Sequence, residues 1–253
     1  MDKNYYKEYY ILEREHWWFK ARAKIITSLI INSLKNNKKD HLNILNIGAA
    51  TGKTSELLSA FGNVISLEYD KDCCEFANNN LNLNIINGSI LELPFSSEEF
   101  DLVCAFDVIE HVQDDLLGAS EMKRVCKKGG TIVVSVPAFM LLWSHHDEVN
   151  HHYRRYTMSS LKKLFSKTNL TPIRATYFNT ILFIPILIFR LISKLLPSKL
   201  IRIGAGSDAT LNSNNSIASK ILYRIFEFEL ILLKYFNLPY GVSIFLSLSK
   251  KTN

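Results

Sequence analysis

The sequence predicts an α/β fold built on a parallel sheet, and three observations support that prediction. Short runs of β-branched and aromatic residues alternate with helix-forming segments through the first 140 residues. A glycine-containing turn joins the first of these runs to the segment that follows. The chain has 253 residues with 47% hydrophobic content, enough to bury a large core. Alternation at this spacing is typical of βαβ units.

Seven segments have strand-like sequences. A helix carrying Val108, Ile109 and Val112 is expected after the fourth strand, and a second helix is expected from Asp115 to Cys126. The second helix should end at residues 127–130, because cations and glycines favour a helix C-terminus. The predicted strands are residues 43–48, 64–68, 84–87, 100–106, 130–136, 173–178 and 241–249.

Two regions fall outside this alternation. Residues 1–35 are rich in aromatic side chains and are predicted to form a helical lid. Residues 180–238 are predicted to form a helical insert before the last strand, and residues 36–179 with 239–253 are predicted to form the α/β domain.

The insert is strongly apolar. The run 181–189 is shorter than the ~20 residues that cross a bilayer. A Gly/Ser/Asn-rich loop is expected at 204–216, followed by a helix at 217–236 with one narrow polar stripe. Such a helix needs burial on most sides. Two explanations of its apolar faces stay open: packing in the core, or contact with lipid or a hydrophobic substrate.

Charge is distributed unevenly along the chain. Residues 1–150 carry 15 Lys/Arg and 21 Asp/Glu, a net charge of −6, whereas residues 151–253 carry 15 and three, a net charge of +12. An anionic partner for the C-terminal part is therefore expected: phospholipid, a phosphorylated substrate or nucleic acid. Four cysteines with no metal-ligand spacing, and an N-terminus with no apolar signal core, predict a cytoplasmic protein.

The most informative segment runs from Ile44 to Gly52. An apolar run ends at Gly48, small residues follow, and Gly52 precedes a helix-forming segment. Small residues let a backbone approach a ligand closely, and an acid at the end of the next strand, here Glu68, can accept hydrogen bonds from a ribose. The segment predicts a nucleoside-containing cofactor.

Four blocks in this order resemble the class I S-adenosylmethionine-dependent methyltransferases. They are Leu45-Asn-Ile-Gly-Ala-Ala-Thr-Gly52, Gly88-Ser-Ile-Leu-Glu-Leu-Pro-Phe95, Phe100-Asp-Leu-Val-Cys-Ala-Phe-Asp-Val-Ile-Glu-His111 and Arg124-Val-Cys-Lys-Lys-Gly-Gly130. The resemblance implies a Rossmann-like doubly wound sheet, with helices on both faces and an antiparallel last strand. It also implies S-adenosylmethionine as the cofactor.

The resemblance assigns the cofactor contacts as well. Ala50 replaces the usual second glycine of the loop, and Ser89 stands where an Asp often meets the adenine. An N-terminal helix of this type would bring Trp18 and Arg22 near the methionine carboxylate. The implied cofactor-binding residues are Arg22, Gly48, Ala49, Ala50, Gly52, Glu68, Tyr69, Ser89, Ile90, Ala105 and Phe106.

A narrower resemblance, to a group of bacterial methyltransferase-domain proteins, extends along the chain without implying one substrate. These proteins share a Glu-His-Trp-Trp-Phe start, here at residues 15–19, and a Trp-x-x-His-Asp segment, here at residues 143–147. Two further segments, 152–156 and 238–243, belong to the same pattern.

The densest polar cluster is residues 145–156, which follow the fifth strand at the edge where open α/β sheets place active sites. In the favoured interpretation His146, oriented by Asp147, is a general base, with His111 also in the catalytic group. A second interpretation is a metal site, joined by Asp107, Glu110 and His111, although no metal is assigned. A third is structural, with His and Asp capping the next helix.

Five residues are assigned to the substrate: Trp143, His152, Arg154, Arg155 and Tyr156. The two arginines could bind a carboxylate or phosphate, or form salt bridges at a helix start.

The sequence therefore predicts methyl transfer to an oxygen, with nitrogen as second choice. The predicted acceptor is an anionic or amphiphilic small molecule, such as a lipid- or nucleotide-linked sugar, met at the inner face of the membrane. The rivals are a nucleic-acid methyltransferase and an inactive, membrane-associated cofactor-binding protein.

Overall fold

The computed structural model describes residues 3–35, 39–80, 84–195 and 216–252, and its centre is a seven-stranded sheet. The strand order is β3-β2-β1-β4-β5-β7-β6, with β7 antiparallel to both of its neighbours and β1 to β5 parallel. This confirms the predicted mostly parallel sheet with an antiparallel last strand. The strands are β1 (Leu42–Ile47), β2 (Gly62–Glu68), β3 (Ile85–Asn87), β4 (Phe100–Phe106), β5 (Cys126–Pro137), β6 (Thr171–Phe178) and β7 (Ser243–Ser249).

Helices cover both faces of this sheet, as predicted. On one face α2 and α9 pack on the sheet through side chains such as Leu29 and Phe226, and on the other α5 and α7 do so through Met122 and Phe165. The helices are α1 (Lys3–Glu15), α2 (Trp17–Ser33), α3 (Lys53–Leu58), α4 (Lys71–Asn80), α5 (Asp115–Val125), α6 (His145–Val149), α7 (Met158–Ser166), α8 (Phe183–Leu195) and α9 (Ile217–Tyr235).

The segment after β4 differs from the prediction. The expected helix through Val108, Ile109 and Val112 is a single 3₁₀ turn, Ile109–His111. Asp107 has a φ of +54° directly after the strand, and Val112 is already extended, so no helix can continue through this segment. Likewise residues 127–130 do not end α5, because the chain enters β5 at Cys126.

The two regions outside the alternation contact each other. Trp18 of α2 stacks on Phe226 of α9 with 6.4 Å between ring centroids, and Lys24 pairs with Glu227 at 2.5 Å. Core packing therefore accounts for one face of α9. The division of the chain into lid, α/β domain and insert stays a prediction, and most of the expected 204–216 loop lies outside the described residues.

The other faces of α8 and α9 are apolar and exposed. None of the helices within the described ranges has the length and hydropathy needed to cross a membrane. The four cysteines are free and buried. The exposed side chains include Ile184, Ile188, Phe189 and Ile192 on α8, and Ile221, Phe228 and Ile231 on α9.

Candidate active site

The loop between β1 and α3 is held against β2 by its own backbone. The amides of Gly48 and Ala49 both donate to the carbonyl of Leu67, at 2.8 and 3.0 Å. Gly48 has a φ of +72°, and a Cβ there would lie 2.4 Å from Cγ2 of Val108. The turn therefore requires glycine at Gly48, for its conformation and for the space beside Val108. Gly52, with a φ of +86°, precedes α3.

Glu68 closes this loop at the end of β2. Its Oε2 accepts from the amide of Ala50 at 2.8 Å, and its Oε1 accepts from the amide of Asp70 at 3.0 Å. Burial raises the pKa of Glu68, and the two backbone bonds oppose that effect. Each carboxylate oxygen retains a further lone pair that could accept from a ribose hydroxyl. Ala50 itself adopts a φ of +46°, so alanine is accommodated where glycine is usual.

The first helix, α1, is bonded to the loop between β1 and α3. Thr51 donates its hydroxyl to Glu13, and Arg14 donates to the Thr51 carbonyl at 3.2 Å and pairs with Glu56 at 2.5 Å. Complete burial raises the pKa of Glu13 to about 7. Tyr6 donates to Asp70 at 2.8 Å.

Arg22, a residue of α2, reaches the ends of β4 and β5. It donates to Asp107 at 2.5 Å and to the Ser135 hydroxyl at 3.0 Å, and its guanidinium carbon is 5.6 Å from the Trp18 ring centroid. Its Nε is buried without a hydrogen-bond partner among the described residues. A donor of this kind suits the carboxylate of a bound ligand, because an unpaired buried N–H is costly.

The remaining predicted cofactor residues line the same edge. Tyr69 is 79% exposed directly after β2, whereas Ala105 and Phe106 are buried at the end of β4. Ile90 is buried, and the hydroxyl of Ser89 accepts from the amide of Leu91 at 3.1 Å. A tight glycine turn, a carboxylate on the loop and an unpaired guanidinium donor together fit S-adenosylmethionine. These roles remain predictions from the resemblance.

Asp147, on α6 after the end of β5, is fully buried and accepts several hydrogen bonds. Arg155 donates through Nε to Oδ1 at 2.7 Å and through Nη2 to Oδ2 at 3.0 Å, while Nδ1 of His152 lies 2.9 Å from Oδ1. The amide of Ser144 donates at 2.8 Å, forming a capping box at the start of α6. Burial alone would raise the pKa of Asp147, but the bonds from His152 and Arg155 outweigh it and hold that pKa far below its usual value.

These contacts correct the predicted base pair. Asp147 orients His152, whereas the ring of His146 contacts the side-chain amide of Asn150 at 3.2 Å. Arg155 is 7% exposed and committed to Asp147, so it is not the free anion-binding donor that was predicted. The predicted capping of the next helix is not observed as stated, because Asp147 caps the start of α6, the helix that contains it, and α7 is capped by Thr157 and Ser160.

Glu110, His111 and His152 form a group that we call the Glu–His–His cluster. The rings of His111 and His152 are perpendicular, with centroids 4.4 Å apart. The carboxylate of Glu110 is fully buried, and neither of its oxygens has a partner within the described residues. His111 faces solvent on one side, while burial on its other sides and nearby His152 lower its pKa well below the usual value.

The other predicted substrate residues are engaged within the protein. Arg154 pairs with Asp115 at 2.8 Å and donates to the Gln113 carbonyl at 2.7 Å. Tyr156 donates to Asp115 at 2.9 Å, and Trp143 is half-buried.

Arg190, on α8, has a role that sequence reasoning missed. It lies 3.7 Å from Oδ2 of Asp147 and donates to the carbonyl of Leu142. The available signal was a cation directly after the apolar run 181–189. Its contacts join α8 to α6 and to the segment before it.

Comparison with known proteins shows what the segment that carries the glycine loop is similar to. Residues 45–134 match a protein-family model described as a methyltransferase domain. A Mycolicibacterium smegmatis protein, named as an S-adenosylmethionine-dependent methyltransferase, is 28% identical over 128 residues, 50% of this chain and 48% of that protein. A demethylmenaquinone methyltransferase of Staphylococcus haemolyticus is 28% identical over 124 residues, 45% of this chain and 49% of that protein.

The fold is also shared with solved structures. A Bacillus halodurans C-125 protein, assigned as a methyltransferase, aligns with a TM-score of 0.58 at 15% identity, covering 90% of this chain and 99% of that one. The chain spans about half the length of the curated relatives that it matches. The comparisons confirm the resemblance to class I S-adenosylmethionine-dependent methyltransferases, and this domain and fold imply S-adenosylmethionine as the cofactor. The narrower resemblance carried by residues 15–19 and 143–147 stays a prediction.

Proposed function

We propose that this chain, whose residues 45–134 carry a class I S-adenosylmethionine-dependent methyltransferase domain, transfers a methyl group from that cofactor to an oxygen of a small molecule. The acceptor is anionic or amphiphilic, and nitrogen is the second choice of acceptor atom. In the transfer the sulfur–methyl bond breaks, an oxygen–methyl bond forms, and the acceptor hydroxyl loses its proton.

The observation that carries this proposal is the short segment after β4. Asp107 binds Arg22 on the donor side, and three residues later Glu110 and His111 belong to the Glu–His–His cluster. One tight turn therefore joins the cofactor side to the only polar cluster of this composition in the described chain. Transfer from a sulfonium is mainly a matter of aligning donor and acceptor, so this proximity supports catalysis at that edge.

The cluster is the proposed place for the acceptor oxygen. His152 is oriented by Asp147 through Nδ1, which leaves Nε2 for a ligand or a proton. His111 gives the cluster a side that faces solvent. His146 bonds to Asn150, and its ring lies edge-on to that of His152 with 6.1 Å between centroids, but it is not one of the three residues of the cluster.

The exposed apolar sides of α8 and α9 support an amphiphilic acceptor. Phe189 and Phe228 are each 51% exposed, and Arg190 of α8 reaches Asp147 behind the cluster. The net charge of +12 over residues 151–253 complements an anionic membrane surface. We therefore propose that these two helix faces rest on anionic lipid while the acceptor enters the site.

A nucleic-acid acceptor fits these surfaces poorly. The exposed positions of α8 and α9 are mostly aliphatic, whereas single-stranded nucleic acid is bound by basic grooves with interleaved aromatic rings. The similarity to a demethylmenaquinone methyltransferase covers 45% of this chain and gives no acceptor for it.

Two measurements test the proposal. Calorimetry should show one site for S-adenosylmethionine, and radiolabelled methyl donor should label a molecule in extracts only when the protein is present. His152→Ala should abolish labelling while cofactor binding remains, whereas His146→Ala should leave both unchanged. A protein that fails to bind the cofactor, or binds it and labels nothing in aqueous and lipid extracts, contradicts the proposed activity.

A further inference from the structure

We propose that the Glu–His–His cluster of Glu110, His111 and His152 binds a divalent transition-metal ion of the zinc type. The ion would hold the acceptor oxygen, and this role rests on the proposed function. The site itself is inferred from the geometry of the three side chains.

Each of the three side chains has a possible ligand atom close to those of the other two. One atom from each lies within 4.8 Å of the other two. Zinc bonds of about 2.0–2.2 Å to nitrogen and oxygen would bring these atoms to roughly 3.3–3.5 Å from one another. His111 is exposed, so rotation of its ring could supply most of the approach that a bound ion requires.

His152 is oriented as a metal ligand usually is. Its Nδ1 is held by Asp147 at 2.9 Å, and Asp147 is in turn fixed by Arg155. The ring therefore has one nitrogen fixed by an outer partner and Nε2 left for an ion, which is the arrangement of carboxylate–histidine–zinc sites. The His111 ring lies edge-on to it, with 4.4 Å between centroids.

Glu110 supplies an observation independent of the histidines. Its side chain is fully buried, and both oxygens have no hydrogen-bond partner within the described residues. The nearest arginines are already committed, Arg22 to Asp107 and Arg155 to Asp147. A buried carboxylate without partners is costly, and a bound cation would satisfy it.

The ligand types indicate which ion would bind. Two imidazoles and one carboxylate suit zinc, cobalt or nickel, whereas magnesium and calcium prefer sites made of oxygen atoms. Three protein ligands leave a coordination position open, and His111 faces solvent beside it. An acceptor hydroxyl bound there would lose its proton to solvent more readily. Its oxygen would then form the bond to the methyl carbon as the sulfur–methyl bond of the cofactor breaks.

Cobalt is a suitable probe, because its visible absorption reports nitrogen and oxygen ligation. We expect the full-length protein, stripped of metal, to bind one equivalent of Co²⁺ and to release it to Zn²⁺. His111→Ala, His152→Ala and Glu110→Gln should each weaken binding at least tenfold. His145→Ala is the matched control, because His145 is on the neighbouring helix with its side chain 82% exposed, and it should bind as the wild type does.

Circular dichroism and calorimetry with S-adenosylmethionine should accompany each variant. His111 is exposed, so His111→Ala tests the site even if Glu110→Gln fails to fold. Binding that survives His111→Ala, or binding lost equally in His145→Ala, would overturn the proposed site. Methyl transfer that persists at full rate after exhaustive chelation would overturn the role of the ion and leave the methyltransferase proposal intact. Failure to bind the cofactor would contradict that proposal instead.

Discussion

Gly48→Ala is expected to destabilise the protein and weaken cofactor binding together. An alanine at the φ of +72° costs about 1–2 kcal/mol in backbone strain. Its Cβ would lie 2.4 Å from Cγ2 of Val108, and relieving such overlap in a packed region costs about 1–3 kcal/mol. Alanine also reduces the conformational freedom of the unfolded chain, which stabilises the folded state by roughly 0.5–1 kcal/mol. The expected loss is therefore about 1–4.5 kcal/mol.

A second substitution separates the two causes. Ala50, in the same loop, already tolerates a φ of +46°, so the contact with Val108 should be the larger part of the loss. Val108→Ala in the Gly48→Ala background removes the overlapping methyl group. The double variant should then be more stable than the sum of the single effects by about 1–3 kcal/mol.

The assay is urea unfolding of all variants, with calorimetry of S-adenosylmethionine binding. Gly118→Ala on α5 is the matched control, because its Cβ would meet Ile90 at an ordinary 3.5 Å, and it should be neutral or slightly stabilising. Surface substitutions usually change the free energy of unfolding by no more than ~0.5 kcal/mol. A change that small in Gly48→Ala would refute the reasoning.

Four further predictions follow from buried groups and from the exposed helix faces. Arg155→Ala removes both guanidinium bonds from buried Asp147 and leaves it with His152, the Ser144 amide and the more distant Arg190, so urea unfolding should show a loss of about 3 kcal/mol. A loss within the ~0.5 kcal/mol typical of surface sites would contradict the buried pair. Because the pKa of Asp147 is depressed in the folded state, its stabilisation is present above pH ~4 and lost in more acidic solution, and Asp147→Asn should flatten that acid limb. The pKa of Glu13 is raised from 4.5 to about 7, so stability should fall by about 3 kcal/mol as pH rises through that window, and Glu13→Gln should abolish the slope; an identical slope in both proteins would exclude Glu13 as its cause. Phe228→Asp should reduce flotation with anionic vesicles without changing cofactor affinity, and unchanged flotation would count against lipid contact by α9.

The strands and the loop from Gly48 to Gly52 could be predicted because the residues that determine them are close together in the sequence. An apolar run ending in glycines specifies a strand and a tight turn within nine residues, and the acid that closes the loop comes at the end of the next strand. The segment after β4 was misjudged as a helix, because its apolar spacing is helical. Asp107 in the left-handed region interrupts the chain there, and no residue type at that position signals it as a glycine would.

The acceptor side could not be predicted because its contacts join residues that sequence order separates. His146 and Asp147 are adjacent in sequence, yet adjacent residues on a helix point about 100° apart, so Asp147 is fully buried whereas His146 is half-buried. After α6 the chain turns at His151, with a φ of +55°, and brings His152 and Arg155 back to the buried carboxylate. The chemistry proposed for Glu110 and His152 therefore depends on that turn and on the salt bridge between Arg155 and Asp147. Loss of Arg155 should impair metal binding through His152 as well as stability, and a variant that loses stability alone would separate the two roles.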